Sequence, residues 1–185
     1  FGPNGCGRSH LLLGQCAQAE QRGLRCAYLA LRDHAKLAPD ILDGLETLDL
    51  LAFDDIQLIA READWEEALF ALFNRCRDRG TRMLFSADCG PAASPIQLPD
   101  LRSRLAWGLS LSIQPLDDQG RLELLQSLAT RRALALPSDV ARYLLERTPR
   151  NPSDLVDTIS RLDHASLAEQ RRLTIPFVRD SLKLG

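Results

Sequence analysis

Near its start the chain reads Gly2-Pro3-Asn4-Gly5-Cys6-Gly7-Arg8-Ser9, which fits the phosphate-loop pattern G-x-x-x-x-G-K-[ST] at every defined place except the lysine. The spacing has a chemical reason. Glycines let consecutive backbone N–H groups turn toward phosphate oxygens, and the helix that follows adds its positive end. Ser9 can ligate a divalent cation, and His10 completes the same stretch. Arg8 can supply the charge that lysine normally gives, although a planar guanidinium follows a moving phosphoryl group less readily. Further along, Leu50-Leu51-Ala52-Phe53-Asp54-Asp55 is an apolar run that ends in two carboxylates. A carboxylate at the end of a buried strand, facing a phosphate loop, holds a Mg²⁺ shell, so Asp54 joins Ser9 as a candidate metal residue. Asp55 beside it is the candidate for positioning an attacking water. A glycine turn before a helix and an acidic pair after a strand are each common structural features. Together and in this order they point to nucleotide phosphate as the shared ligand.

Such residues must be held at the ends of strands, and the surrounding pattern supplies those strands. Residues 9–22 have helical character, and Gly23 stops them at the C′ position that glycine favours. Residues 26–31 form a continuous apolar run, as expected of a strand buried on both faces, and 48–53 form a second. Residues 65–79 read as an amphipathic helix with Trp65, Leu69, Leu72, Phe73 and Cys76 on one side, closed by Gly80. Met83-Leu84-Phe85 predicts a third strand and 109–113 a fourth. Strands separated by helices imply a parallel sheet covered on both faces. From Pro115 the texture changes: 117–132, 137–147, 152–169 and 175–184 all read as helices, with Pro137, Pro152 and Pro176 near their starts. The boundary therefore falls at Gln114-Pro115-Leu116, between an α/β domain (1–114) and a small helical domain (115–185).

Composition narrows the class. Of the 185 residues 45% are hydrophobic and 26% charged, which is ordinary for a soluble globular protein. No apolar run approaches the roughly 20 residues that span a bilayer. The chain opens inside a motif and reads as a truncated piece, its first strand lying before residue 1. A net charge of −2 argues against a dedicated nucleic-acid binder, so any DNA contact is expected to be weak or indirect. Cys6, Cys16, Cys26, Cys76 and Cys89 are odd in number and form no C-x-x-C pair, which suits reduced thiols in a cytoplasmic protein. His10, His34 and His164 have no metal-ligand spacing and read as structural or surface residues. Trp65 and Trp107 read as packing residues, and Arg131, Arg132, Arg171 and Arg172 as solvated helix ends.

Phe53-Asp54-Asp55-Ile56-Gln57 resembles the Walker B element of the DnaA/Hda family of AAA+ ATPases, and the likeness runs through almost the whole chain. Phe85-Ser86-Ala87-Asp88 is similar to the sensor 1 strand end, with Asp88 in the sensor position. Leu101-Arg102-Ser103-Arg104-Leu105-Ala106-Trp107-Gly108 is similar to the box VII segment, which maps the arginine finger onto Arg104. Arg150-Asn151-Pro152-Ser153 aligns with sensor 2, and Ser153 stands where the family has an arginine; Arg150 is the nearest candidate to replace it. Leu173-Thr174-Ile175-Pro176-Phe177-Val178 resembles the last helix of the lid.

The resemblance implies a P-loop module, a parallel αβα sandwich followed by an all-helical lid, that binds ADP or ATP with Mg²⁺. DnaA continues past its lid into a helix-turn-helix domain, whereas this chain stops at 183–185, so the resemblance falls on the Hda branch. That branch implies a regulator of replication initiation that promotes hydrolysis of DnaA-bound ATP, together with the DNA-loaded sliding clamp, by a trans arginine finger. The implied partners are DnaA, the clamp (through a segment before residue 1) and a second copy of the chain. Arg8 for lysine and Ser153 for arginine imply weak or no intrinsic ATPase. The competing readings are a DnaA-like initiator or helicase loader that binds DNA, and a small-molecule kinase, in which an inter-subunit arginine has no use.

Overall fold

The apolar run that ends in Asp54 becomes strand β2 (Leu50–Asp54), and all five of its residues are buried. Successive side chains point to opposite faces of a strand, and here both sets are apolar. Leu51 and Phe53 enter one core with Leu69, Leu72 and Cys76; Leu50 and Ala52 enter another with Leu12, Cys16 and Ala19. The first set of partners lies on helix α2 (Ala63–Arg79) and the second on α1 (Arg8–Gln21), one helix on each face of the sheet. Fully burying a side chain the size of leucine or phenylalanine contributes about 1.5–3 kcal/mol, so this central strand is the best-anchored part of its unit. Gly80 ends α2 in the left-handed conformation (φ 77°), its N–H donating to the Cys76 and Arg77 carbonyls.

Strands β1 (Cys26–Ala30) and β3 (Arg82–Phe85) flank β2, both parallel to it, in the order β1-β2-β3. Cys26 pairs with Leu50 and Ala30 with Asp54, while Phe53 pairs with Phe85. This register brings the chain just after each strand to the same edge. Short 3-10 turns at Leu31–Lys36 and Ile56–Ile59 follow β1 and β2, and helix α3 (Pro99–Leu105) lies beyond β3.

The computed structural model describes residues 1–149 and 151–183, with the backbone alone at 34 and 35. The chain divides into two compact units, Phe1–Asn4 with Arg8–Ile113, and Gly5–Gly7 with Gln114–Gly185. In the second, α4 (Asp118–Arg131), α5 (Ser138–Arg147), α6 (Pro152–Glu169) and α7 (Ile175–Leu182) surround Leu125, Leu144, Leu155, Ile159, Leu162 and Phe177. Three of these helices are capped by side chains. Asp117 accepts from the Gly120 N–H at 2.7 Å, Asn151 from Ser153 at 3.0 Å and Thr174 from Phe177 at 3.4 Å. Arg121 is buried to 2% exposure; it pairs with Asp118 at 3.0 Å and donates to the Leu145 and Thr148 carbonyls at the end of α5.

Three expectations are corrected. β1 is only half-buried along its length, because β2 covers one of its edges and it stands at the outside of the described sheet. Residues 109–113 form no strand. Their backbone pairs with Phe1, whose ammonium donates to the Leu111 carbonyl at 2.6 Å and whose carbonyl accepts from Ile113 at 2.7 Å. One residue cannot make a ladder, and Leu109 and Leu111 are exposed. Trp107 is 63% exposed and packs in no core, whereas Trp65 is buried. His10 and His164 lie on the surface, and the His34 side chain and residues 184 and 185 fall outside the described residues. All five cysteines are free thiols, three of them buried.

Candidate functional site

The turn ahead of α1 is built for close backbone approach. Gly5 and Gly7 have φ of 82° and 98°, in the left-handed region where a side chain would be strained. Alternation of hand in a short loop turns neighbouring N–H groups inward to form an anion-binding nest. The Gly2 N–H is fixed on the Ala87 carbonyl at 3.1 Å. No acidic residue occupies the first turn of α1, so no carboxylate of the helix itself offsets its positive end. Gly2 and Cys6 are buried, Gly5, Gly7 and Ser9 half-buried, and Pro3, Asn4 and His10 exposed.

At the end of β2 the two carboxylates have different surroundings. Asp54 is fully buried. Tyr28, from β1, donates its hydroxyl to Asp54 Oδ2 at 2.6 Å, and Ser86, just past β3, donates to Asp54 Oδ1. Burial pushes the Asp54 carboxyl up, but the hydrogen bonds from Ser86, Ser9 and Tyr28 and the charge of Arg32 outweigh it and hold Asp54 below the ordinary carboxylate range. Tyr28 pays the complementary cost: burial first, then its bond to the Asp54 carboxylate, pushes the phenol up to about 12.

Asp55 sits in the left-handed region (φ 60°, ψ 50°), which turns it out of the strand, and its N–H donates to Ser86 Oγ at 2.9 Å. Its carboxylate meets three donors. Arg8 Nη2 is 2.6 Å from Oδ1, Arg32 Nη2 is 3.2 Å from Oδ2, and Gln57 Nε2 is 3.2 Å from Oδ1. A carboxylate has about four acceptor positions, so little of Asp55 is left for a water. Arg8 is 7% exposed and also donates to the Gly2 carbonyl. Gln57 reaches on to the sensor position, its Oε1 accepting from the Asp88 N–H at 3.2 Å.

The structure thus brings together Gly2, Arg8, Ser9, Asp54, Asp55 and Asp88. Arg104 does not join their hydrogen bonds; it lies on α3, with its guanidinium 4.0 Å above the Trp107 ring. Ser153 is exposed in the first turn of α6, and Arg150 lies outside the described residues. Sequence reasoning missed Tyr28, Arg32, Gln57 and Ser86. For three of them a signal was available: in a parallel sheet, residues at the carboxyl end of each strand converge on one edge, and Arg32, Gln57 and Ser86 lie just after such an end, whereas Tyr28 reaches in from the middle of β1.

The donor set suits a hard divalent ion. Magnesium takes one or two carboxylates, and phosphate and water oxygens fill its remaining positions; Asp54 with the Ser9 hydroxyl fits that, and no cluster of three His, Cys, Asp or Glu occurs among the described residues. No helix among them is long and apolar enough to cross a membrane.

Comparison with known proteins agrees with this geometry. The model of the bacterial DnaA ATPase domain matches residues 1–112, and that of the Hda lid domain matches 118–182. Domain III of the replication initiation protein DnaA from Thermotoga maritima is similar over 98% of this chain and 81% of its own, at 23% identity and a TM-score of 0.75. AMPPCP-bound DnaA from Aquifex aeolicus is similar over 91% of this chain, at 25% identity and a TM-score of 0.72, and the chain spans 55% of its length. RuvB, the Holliday junction branch migration motor of Thermotoga maritima, shares the fold over 98% of this chain at 16% identity and a TM-score of 0.71.

Proposed function

Since the chain belongs to the DnaA/Hda family of AAA+ proteins, we propose that it is a nucleotide-binding regulator of replication initiation that promotes hydrolysis of DnaA-bound ATP, together with the DNA-loaded sliding clamp. Its partners are DnaA and the clamp, its compartment the cytoplasm. Residues 1–114 form the nucleotide domain and 115–185 the lid. The loop amides of 2–7 and Arg8 hold the phosphates of ADP or ATP. Ser9 and Asp54 hold Mg²⁺, which when bound neutralises charge on the phosphate oxygens.

The observation that carries this reading is the Arg8–Asp55 pair at 2.6 Å. The cation of the phosphate loop neutralises the carboxylate that would position water, so the site is suited to holding nucleotide and poorly suited to cleaving it. A module of that kind acts through its neighbour's nucleotide. Arg104 is only half-buried and is held over an exposed indole, an arrangement from which a guanidinium can be offered outward. The match to the Hda lid supports the same branch. An arginine supplied in trans is worth on the order of 10³–10⁵ in rate, and its planar fork cannot be replaced well by lysine.

Arg104→Ala is therefore expected to keep the chain's own ADP affinity and lose stimulation of ATP hydrolysis by DnaA, measured with DNA-loaded clamp. Arg102→Ala, on the same helix, should lose much less. Equal stimulation by wild type and Arg104→Ala would overturn the finger and most of the regulatory reading. Tight, steeply salt-dependent binding of the chain alone to duplex DNA would instead favour a DnaA-like initiator or helicase loader.

A further inference from the structure

Arg32 follows β1 directly, at the start of the Leu31–Lys36 turn, and is 55% exposed. One of its nitrogens, Nη2, is within 3.5 Å of three different oxygens. They are Ser9 Oγ at 3.5 Å, Asp54 Oδ2 at 3.5 Å and Asp55 Oδ2 at 3.2 Å. Two of the three are the oxygens suited to a divalent ion, and the third belongs to the neighbouring carboxylate. The contacts are long, and a single nitrogen serves all of them, so the guanidinium is held by charge more than by directed hydrogen bonds. An ordinary surface ion pair that fastened the turn would have no reason to include the Ser9 hydroxyl.

Charge counting sharpens the point. Asp54 and Asp55 carry two negative charges, and Arg8 and Arg32 carry two positive ones, so these four side chains at the end of β2 are neutral as a group before any ion arrives. A charge-balanced group with a cation already among the ligand oxygens offers a divalent ion little. Arg8 is nearly buried and is tied to both Gly2 and Asp55, whereas Arg32 is exposed and has room to swing into solvent. Of the two, Arg32 is the cation that can leave.

We propose that Arg32 is a protein-borne counter-ion that occupies the acidic end of β2 and competes with Mg²⁺ there, so that nucleoside diphosphate binds with little dependence on divalent ion. The proposal rests on the nucleotide reading above for its second half only; the competition between Arg32 and a divalent ion stands apart from it.

The experiment is a titration of the nucleotide-free chain with Mn²⁺, followed by the spin resonance of the free ion, on wild type, Arg32→Gln and Arg32→Lys. Removing a unit positive charge beside a divalent ion strengthens its binding by about tenfold even in a water-like dielectric. Arg32→Gln is expected to gain at least that much, Arg32→Lys to stay within about threefold of wild type, and Arg32→Gln with Asp54→Asn to lose the gain. Calorimetry with ADP should then show a large Mg²⁺ dependence in Arg32→Gln and a small one in wild type. Equal Mn²⁺ affinity in wild type and Arg32→Gln, with both folded by circular dichroism, overturns the proposal. If neither protein binds ADP, the nucleotide reading falls, and the Mn²⁺ titration alone upholds or overturns the role of Arg32.

Discussion

Asp54 illustrates how a buried charge is kept ionised. It has no exposed surface, yet the hydroxyls of Ser86, Ser9 and Tyr28 donate to it, and Tyr28 is the one that comes from within another strand. A hydrogen bond to a charged group is worth about 1.5–3 kcal/mol, and Tyr28→Phe should cost the first unit that much at neutral pH. The cost should depend on pH in a defined way. The Tyr28 phenol is raised from 10 to about 12 in the fold, so the folded state holds this proton longer than the unfolded one. Its contribution is present in full below pH 10 and is lost as the pH rises through about 12. Urea unfolding of both proteins from pH 7 upward should show the gap between them closing across that window. A constant gap up to pH 12 would mean that the hydroxyl does not serve the carboxylate. The candidate carboxylates and the loop were legible in the sequence because their types and order are dictated by phosphate chemistry. Tyr28, Ser86 and Arg32 were not, because a tyrosine in an apolar run reads as packing, and serine and arginine after a strand read as loop.

At the scale of elements, the strands were legible where the pattern itself decides the outcome. β2 is apolar on both faces and became the central strand; 109–113 alternates leucine or isoleucine with serine and became none, because a strand also needs a partner strand, and the backbone pairing it makes is with Phe1, one residue long. Helix α2 was legible too, but not its most consequential residue. Glu66 stands three residues before Leu69 and seven before Phe73, at the margin of the apolar face, and it is 2% exposed. Its carboxylate accepts from the N–H groups of Arg61 at 2.8 Å, Gln97 at 3.0 Å and Leu98 at 2.6 Å. It thereby fastens the entry to α3, the helix that carries Arg104. Periodicity assigns a face and cannot say that three amides will converge on it. Glu66→Ala leaves those amides unpaired, at about 1–3 kcal/mol for each that water does not reach, so a loss of about 3 kcal/mol or more is expected by urea denaturation. Amide exchange at Gln97 and Leu98 should speed up in the same variant, while exchange in β2 follows only the global stability. Unchanged protection at Gln97 and Leu98 would show that α3 is held by its apolar contacts alone.

At the scale of the molecule, each unit has its own core, and the two cores depend on different things. The first is apolar on both faces of a sheet; the second is a helix cluster pierced by one charge, Arg121. That residue is buried along its length, its head meets Asp118 and the last carbonyls of α5, and its Nε has no hydrogen-bond partner among the described residues. Arg121→Ala removes both the packing and the bonds to those carbonyls, which should cost the helical unit about 2–4 kcal/mol. For a unit of that size the loss corresponds to a fall in melting temperature of roughly 10 °C or more. Arg121→Met, which keeps the volume and discards the buried charge, should lose much less. The placement of the two tryptophans makes the effect separable, since Trp65 and Trp107 both belong to the first unit. Tryptophan fluorescence therefore follows that unit, whereas far-ultraviolet dichroism follows the helices of both. In Arg121→Ala the dichroism transition should begin well below the fluorescence transition. If the two fall together by the same amount, the units unfold as one cooperative body and Arg121 supports the whole molecule; if neither moves, the buried guanidinium contributes nothing that alanine cannot.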